Sequence, residues 1–215
     1  MTITIPQTYN EITTEQMLRY NKAVETNEIL EFQKVSILCN IPLQDVLKIP
    51  FNEFSEIINE LNKLFNTEPT LIDRFDMNGV TYGFIPNFDE LSTAEYIDLD
   101  TYAGTDPLRF LAVAYRPIKS KFKHLYNIEE YKGTESNYMK MAHAPAMAYL
   151  GAMVFFWNLS NELLKHLPRF LEQELTAEQS TALLKNGVGI PQLMQSLGET
   201  ISNIPKFTSL QYSNS

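Results

Sequence analysis

Apolar and polar positions along the chain change period once, near residue 70, and that change sets the expected architecture. The first residues alternate Thr and Ile, which suits a short strand or an extended arm. From Thr13 the spacing becomes helical: Met17, Leu18, Tyr20 and Val24 recur at helical intervals, with Thr13 or Thr14 available to cap. A second helical run follows through Ile29, Leu30, Phe32, Val35, Ile37 and Leu38. Pro42 and Pro50 then bracket a short turn of helix, "LQDVLKI". In "FNEFSEIINELNKLF", residues Phe54, Ile57, Ile58, Leu61, Leu64 and Phe65 form one stripe, with Asn52 as the expected N-cap.

After residue 70, "TLIDRFDMNGVTYGFIP" holds Asn78-Gly79 between two short runs, the dipeptide best suited to a type I′ turn, and predicts a β-hairpin. Ser92 with Glu95 three residues on matches a capping box, so a helix starts near Thr93 and ends by Gly104. Asp106 caps the next helix with Pro107 at its first position, and that helix is expected to stop at Arg116-Pro117. Residues 118–131 are polar with alternating aromatics, which predicts a loop or a second hairpin. "GTESNYMKMA" predicts a further helix, and the apolar run from Ala144 extends to about Leu167, where Pro168 is expected to break it. Gly151 in that run implies a close crossing with a neighbouring helix. Thr176 and Gln179 predict a late helix capped by Gly187, ahead of a frayed or partner-ordered tail.

The fold class expected is mainly α with a small β-hairpin element, α+β, its helical core built around the apolar helix at about 144–167. The expected division is an acidic N-terminal helical unit with a short extended arm, residues 1–66, and a β-hairpin, helical core and tail, residues 67–215, the two capable of forming one compact domain.

Composition narrows the function classes. The chain has 215 residues, 44% of them hydrophobic and 20% charged, an ordinary globular balance. A formal net charge of −9 argues against general nucleic-acid binding, since phosphate rewards a basic face; Lys119, Lys121, Lys123 and His124 make a local basic patch that reads first as a solvated edge. Cys39 is the single cysteine, which excludes an intrachain disulfide and a CxxC zinc site, and it reads as a buried structural thiol. The N-terminus lacks the basic and apolar regions of a signal peptide, and the apolar stretch 144–157 falls short of the roughly twenty residues that a spanning helix needs.

Candidate chemistry is sparse. "EYIDLDTYAGTDP", residues 95–107, gathers Glu95, Asp98, Asp100 and Asp106, but Glu95 and Asp106 are accounted for by helix starts, and Asp98 and Asp100 face different ways on a helix. An EF-hand counted from Asp98 puts Ala103 where Gly is required and Arg109 where a bidentate Glu is required. His124, His143 and His166 lie in separate segments without ligand spacing, and no GxSxG or phosphate-cradling loop is present. No catalytic, cofactor or metal residue is assigned, and a small hydrolase or metal enzyme would need carboxylates and His143 brought into one pocket.

Two stretches carry a resemblance. "KVSILCNIPLQDVLKIPFNEFSEIINELNKLF", Lys34 to Phe65, resembles a pattern common among tail assembly chaperones of tailed bacteriophages, in which a helix ending in "iLtgl" precedes a short helix and an acidic helix. Ile37, Leu38 and Ile41 match the first part, Val46 and Leu47 the second, and Phe54, Ile57 and Leu61 the third. "NGVTYGFIPNFDELSTAEYIDLDTY", Asn78 to Tyr102, with "AVAYRPI" at 112–118, is similar to proteins of phages of Bacteroidota, including crAss-like phages. The resemblance covers roughly residues 15–160. The Trp157 helix and the tail have no counterpart in the short chaperone families.

It implies a non-enzymatic phage assembly protein that binds apolar helical surface of a virion protein. Phe54, Ile57, Leu61, Phe65, Tyr82 and Phe84 are the candidate partner-binding residues. The expected partners are phage structural proteins (tape measure, tail or connector proteins), with homo-oligomerisation open and neither a membrane nor a cofactor among the partners. The alternative is a virion structural protein incorporated at the head–tail connector, in the tail or as internal cargo. Either role places the protein in the host cytoplasm during assembly, and the alternative also in the virion.

Overall fold

The computed structural model describes residues 2–25, 30–123 and 125–174, the last thirteen of these as backbone only. The late helix, Gly187 and the tail, and the side chains of His124 and His166, lie outside the described residues.

Seven helices and four strands follow in chain order among these residues. α1 (Thr14–Glu25), α2 (Glu31–Leu38), α3 (Leu43–Val46) and α4 (Phe51–Phe65) precede β1 (Arg74–Met77) and β2 (Val80–Phe84). α5 (Thr93–Tyr102) and α6 (Pro107–Ala114) lead into β3 (Tyr115–Phe122) and β4 (Leu125–Ile128), and α7 (Ala146–Glu174) closes the series. The fold is α+β with one antiparallel four-stranded sheet, in the order β1-β2-β3-β4.

The stripe on α4 does what its spacing demands: Ile57, Leu61, Leu64 and Phe65 are buried. Phe65 stacks on Tyr20 of α1 at 4.8 Å between ring centroids, and Tyr9 meets its edge. The N-terminal arm is tied to the start of α7. Thr14 donates its N–H and its hydroxyl to the Ala144 carbonyl, and Ala146 and Met147 donate to the carbonyls of Ile12 and Tyr9. Residues on both sides of position 66 therefore enter one continuous hydrophobic cluster. At its centre, α6 and the first turns of α7 are almost wholly buried, and Phe110 and Phe156 meet edge to face beneath an aromatic group that includes Phe84, Phe88, Tyr115 and Phe155. Such edge-on pairs add to the area buried because a ring's positive rim faces a negative π surface.

The first hairpin turns at Asn78 (φ +52°) and Gly79 (φ +77°), the positive pair that a type I′ connection needs. A Cβ built on Gly79 meets nothing within 4 Å, so Gly79→Val costs backbone strain alone, about 1–2 kcal/mol. The expected result is a lower urea midpoint; an unchanged midpoint would contradict the turn geometry.

Several boundaries differ from the expectation. α4 begins at Phe51 with Pro50 as its N-cap and no side-chain cap, because proline has no side-chain acceptor; the Pro50 carbonyl accepts from Phe54 N–H, and Asn52 lies inside the first turn. α6 ends at Ala114 rather than Arg116, since a residue preceding proline is pushed into extended geometry and Tyr115 starts β3. Residues 118–131 contain the second hairpin of the two alternatives. Pro117 marks a handover within β3: up to that residue the strand pairs with β2, and beyond it with β4, with an irregular register between Ile118 and Ser120. A proline without an N–H suits the point where one ladder stops and another begins.

Residues 138–143 form a 3-10 turn rather than an α-helix, and Pro145 holds Ala144 extended, so α7 starts at Ala146. α7 runs on through Pro168 to Glu174, forgoing the hydrogen bond that Pro168 cannot donate, where the sequence predicted a break. Gly151 does permit a close approach, but to the chain between α4 and β1 and not to a helix: a Cβ there would lie 2.2 Å from the Thr70 carbonyl oxygen.

Candidate functional site

A cleft of about 530 Å³ lies between the start of α5 and the end of β4. Its wall is built from the capping box. Ser92 Oγ accepts from Glu95 N–H at 3.3 Å, while Ser92 N–H donates to the Glu95 carboxylate at 2.8 Å. That reciprocal pair fixes the Glu95 side chain at the helix start, where its other oxygen accepts from Arg116 Nη2 of β3. Both side chains are about nine-tenths buried. The Tyr131 ring covers the guanidinium at 5.5 Å, and the Tyr131 hydroxyl donates to Asp98.

Burial by itself would raise the Glu95 carboxyl, but the Ser92 hydrogen bonds and the Arg116 charge outweigh it and hold Glu95 below the usual carboxylate range. Asp100 lies one turn on in α5 and has the opposite environment. Its Oδ1 is buried without a hydrogen-bond partner, and burial raises its carboxyl. An acid whose folded pKa lies above its unfolded value costs stability that builds as pH rises past the unfolded value and is complete above the folded one. Asp100→Asn is expected to raise the melting temperature slightly at neutral pH, with the difference fading on acidification; a lower melting temperature at neutral pH would contradict this.

Glu95 and Asp106 do serve helix starts, with Asp106 accepting from Arg109 N–H at 3.1 Å. Helix grammar nevertheless undercounts Glu95, which also holds a buried ion pair, and Asp98, which holds Tyr131. Arg116 and Tyr131 are not among the residues that spacing singles out. The signal for Arg116 was there: a lone charge in the apolar run "AVAYRPI" must find a carboxylate if it is buried. Arg109 plays a comparable role nearby, bonding Thr134 and Glu135 at 2.9 and 2.5 Å and lying 4.2 Å over the Tyr138 ring. His143 is exposed on the 3-10 turn and does not line the cleft. Cys39 is buried, and burial pushes its thiol up to about 11. Among the described residues no group of three or more His, Cys, Asp or Glu converges as a metal site would require, and no helix is long and apolar enough to cross a membrane.

The six candidate partner-binding residues fall on the inside. Ile57, Leu61, Phe65, Tyr82 and Phe84 are buried in the chain's own core, and Phe54 is half-buried against it. An amphipathic stripe looks the same in a sequence whether it meets its own chain or another, and here its own chain takes it. Large apolar residues left in solvent are different ones, Leu30, Ile97 and Met139 singly and two groups besides. Leu43, Leu47 and Phe51 at the α3–α4 corner are 39%, 68% and 80% exposed, and Phe122 and Leu125 at the β3–β4 tip are 71% and 73% exposed.

Comparison with known proteins finds no family model, no curated protein and no solved structure that matches the chain.

Proposed function

We propose that the chain is a non-enzymatic assembly protein of tailed bacteriophages, tail assembly chaperone-like, which covers an apolar helical surface of a virion protein such as the tape measure. The observation that supports this is the α3–α4 corner. Leu43, Leu47 and Phe51 stand exposed in the middle of Lys34–Phe65, the stretch that resembles the chaperones. A short helix and a helix start that present Leu and Phe to water offer anchors for an apolar helix, while the surrounding acidic residues keep the unbound protein soluble.

The alternative, a virion structural protein that stays in the particle, draws support from a different observation. Five of the six residues first expected to grip a partner are already packed internally, so the described part of the chain completes its core without one. The test of the first reading is co-purification from infected cells. Leu47→Ser combined with Phe51→Ser is expected to lose the captured virion protein while the melting curve is unchanged. Undiminished capture by that variant would count against the α3–α4 corner as the binding surface.

A further inference from the structure

Phe122 and Leu125 are directly opposite one another across the β3–β4 ladder, so their side chains share one face at the hairpin tip. Both are more than two-thirds exposed. Residues 117–128 also hold three lysines, Lys119, Lys121 and Lys123, and no Asp or Glu, within a chain of net charge −9. None of the three makes an ion pair among the described residues; Lys123 lies 5.6 Å over the Phe122 ring. The tip is thus a basic finger with an apolar end. Extended strands carry it, and among the described residues its apolar end stands outside the hydrophobic core cluster.

The α3–α4 corner is its counterpart in both respects. It exposes Leu43, Leu47 and Phe51, and residues 43–60 hold Asp45, Glu53, Glu56 and Glu60 against the single Lys48. We propose that the β3–β4 tip of one copy docks on the α3–α4 corner of a second copy, with Phe122 and Leu125 against Leu47 and Phe51, and Lys123 at the turn against Glu53 and Glu56. The two halves are different surfaces, so the contact is heterologous, and each added copy leaves one tip and one corner open. Copies therefore add head to tail into short chains or a closed ring. The inference rests on the reading of the α3–α4 corner as a protein-binding surface and names its occupant when no virion protein is bound. Self-association covers the corner, and a virion protein has to displace the neighbouring tip.

The test is sedimentation velocity on the full-length chain over a range of concentrations, at low and at high ionic strength. The expected result is concentration-dependent association beyond a dimer that weakens with salt, because part of the attraction is between exposed charges. Phe122→Ser with Leu125→Ser, and separately Leu47→Ser with Phe51→Ser, should each sediment as a monomer. An equimolar mixture of the two variants should form a one-to-one complex that grows no further, since only one intact tip and one intact corner remain to meet. Lys123→Glu should weaken association, and Glu53→Lys in the same chain should restore it.

A wild-type chain that is monomeric throughout would overturn the proposal, and so would variants that associate as the wild type does. A monomeric wild type whose tip instead binds phosphatidylserine vesicles would also overturn it. Failure here is distinguishable from failure of the function proposed above. A monomeric protein that still loses its virion partner on Leu47→Ser with Phe51→Ser sinks only the self-association. Head-to-tail association with undiminished capture of the virion protein by that variant sinks only the partner assignment.

Discussion

Arg116→Leu is expected to lower the free energy of unfolding by about 3–5 kcal/mol, the usual cost of removing one partner from a buried ion pair. Glu95 stays where the capping box with Ser92 holds it, 7% exposed, and its charge loses the guanidinium that pairs with it. The loss should be largely reversed when the remaining charge is removed as well. Glu95→Gln with Arg116→Met keeps a residue that can complete the capping box and fills the guanidinium's space with an apolar side chain. The pH dependence follows from the depressed carboxyl. Glu95 in the wild type contributes stability that is fully present above its unfolded value, about 4.3, and is lost as pH falls through the lower folded value. In Arg116→Leu the carboxylate is destabilised by burial, so the deficit relative to wild type should shrink on acidification. Urea unfolding of the three proteins at neutral and acid pH measures both effects. An Arg116→Leu deficit under about 1 kcal/mol would place this pair with surface ion pairs, contrary to its burial.

Gly151→Ala is the second large effect, and its sign is opposite to the propensity rule. In an ordinary helix interior this change stabilises by roughly 1 kcal/mol. Here the new Cβ would sit 2.2 Å from the Thr70 carbonyl oxygen, 2.7 Å from its carbon and 3.0 Å from Leu71 Cα. All three are backbone atoms, so no side-chain rotation relieves the overlap. Thr70 N–H donates to the Met147 sulfur at 3.4 Å, and the Ile72 carbonyl accepts from the Tyr115 hydroxyl at 2.7 Å, which pins the segment on either side. The expected loss is about 2–3 kcal/mol from overpacking. A melting temperature equal to or above that of the wild type would show that the segment moves away from α7 freely.

These two sites show what the sequence could and could not express. Local signals were legible because they act within a few residues: Asn78-Gly79 for a turn, Ser92 to Glu95 for a helix start, Asp106-Pro107 for another. The buried start of α7 was legible because an apolar run with almost no polar face has nowhere else to go. Partners across the fold were not. Nothing in the spacing says that Glu95 meets Arg116 twenty-one residues on, or that Gly151 faces a loop backbone and not a helix.

The candidate site suffered from the same blindness. Phe54, Ile57, Leu61 and Phe65 were correctly placed on one stripe, but periodicity identifies an apolar face without saying what covers it. Leu47, Phe51, Phe122 and Leu125, left exposed, break no local rule and announce themselves only in the packed molecule. Pro42 and Pro50 bracket α3 as their positions predicted, whereas the changes of structure near Pro117 and Pro145 fall a residue or two from where periodicity placed them.

The most direct measurement of the proposed function is quantitative mass spectrometry of purified mature phage particles against infected-cell lysate. A chaperone-like assembly protein is expected to be abundant in the lysate, in complex with a virion protein, and missing from the particles. A fixed copy number in every mature particle would contradict that role and assign the chain to the virion itself.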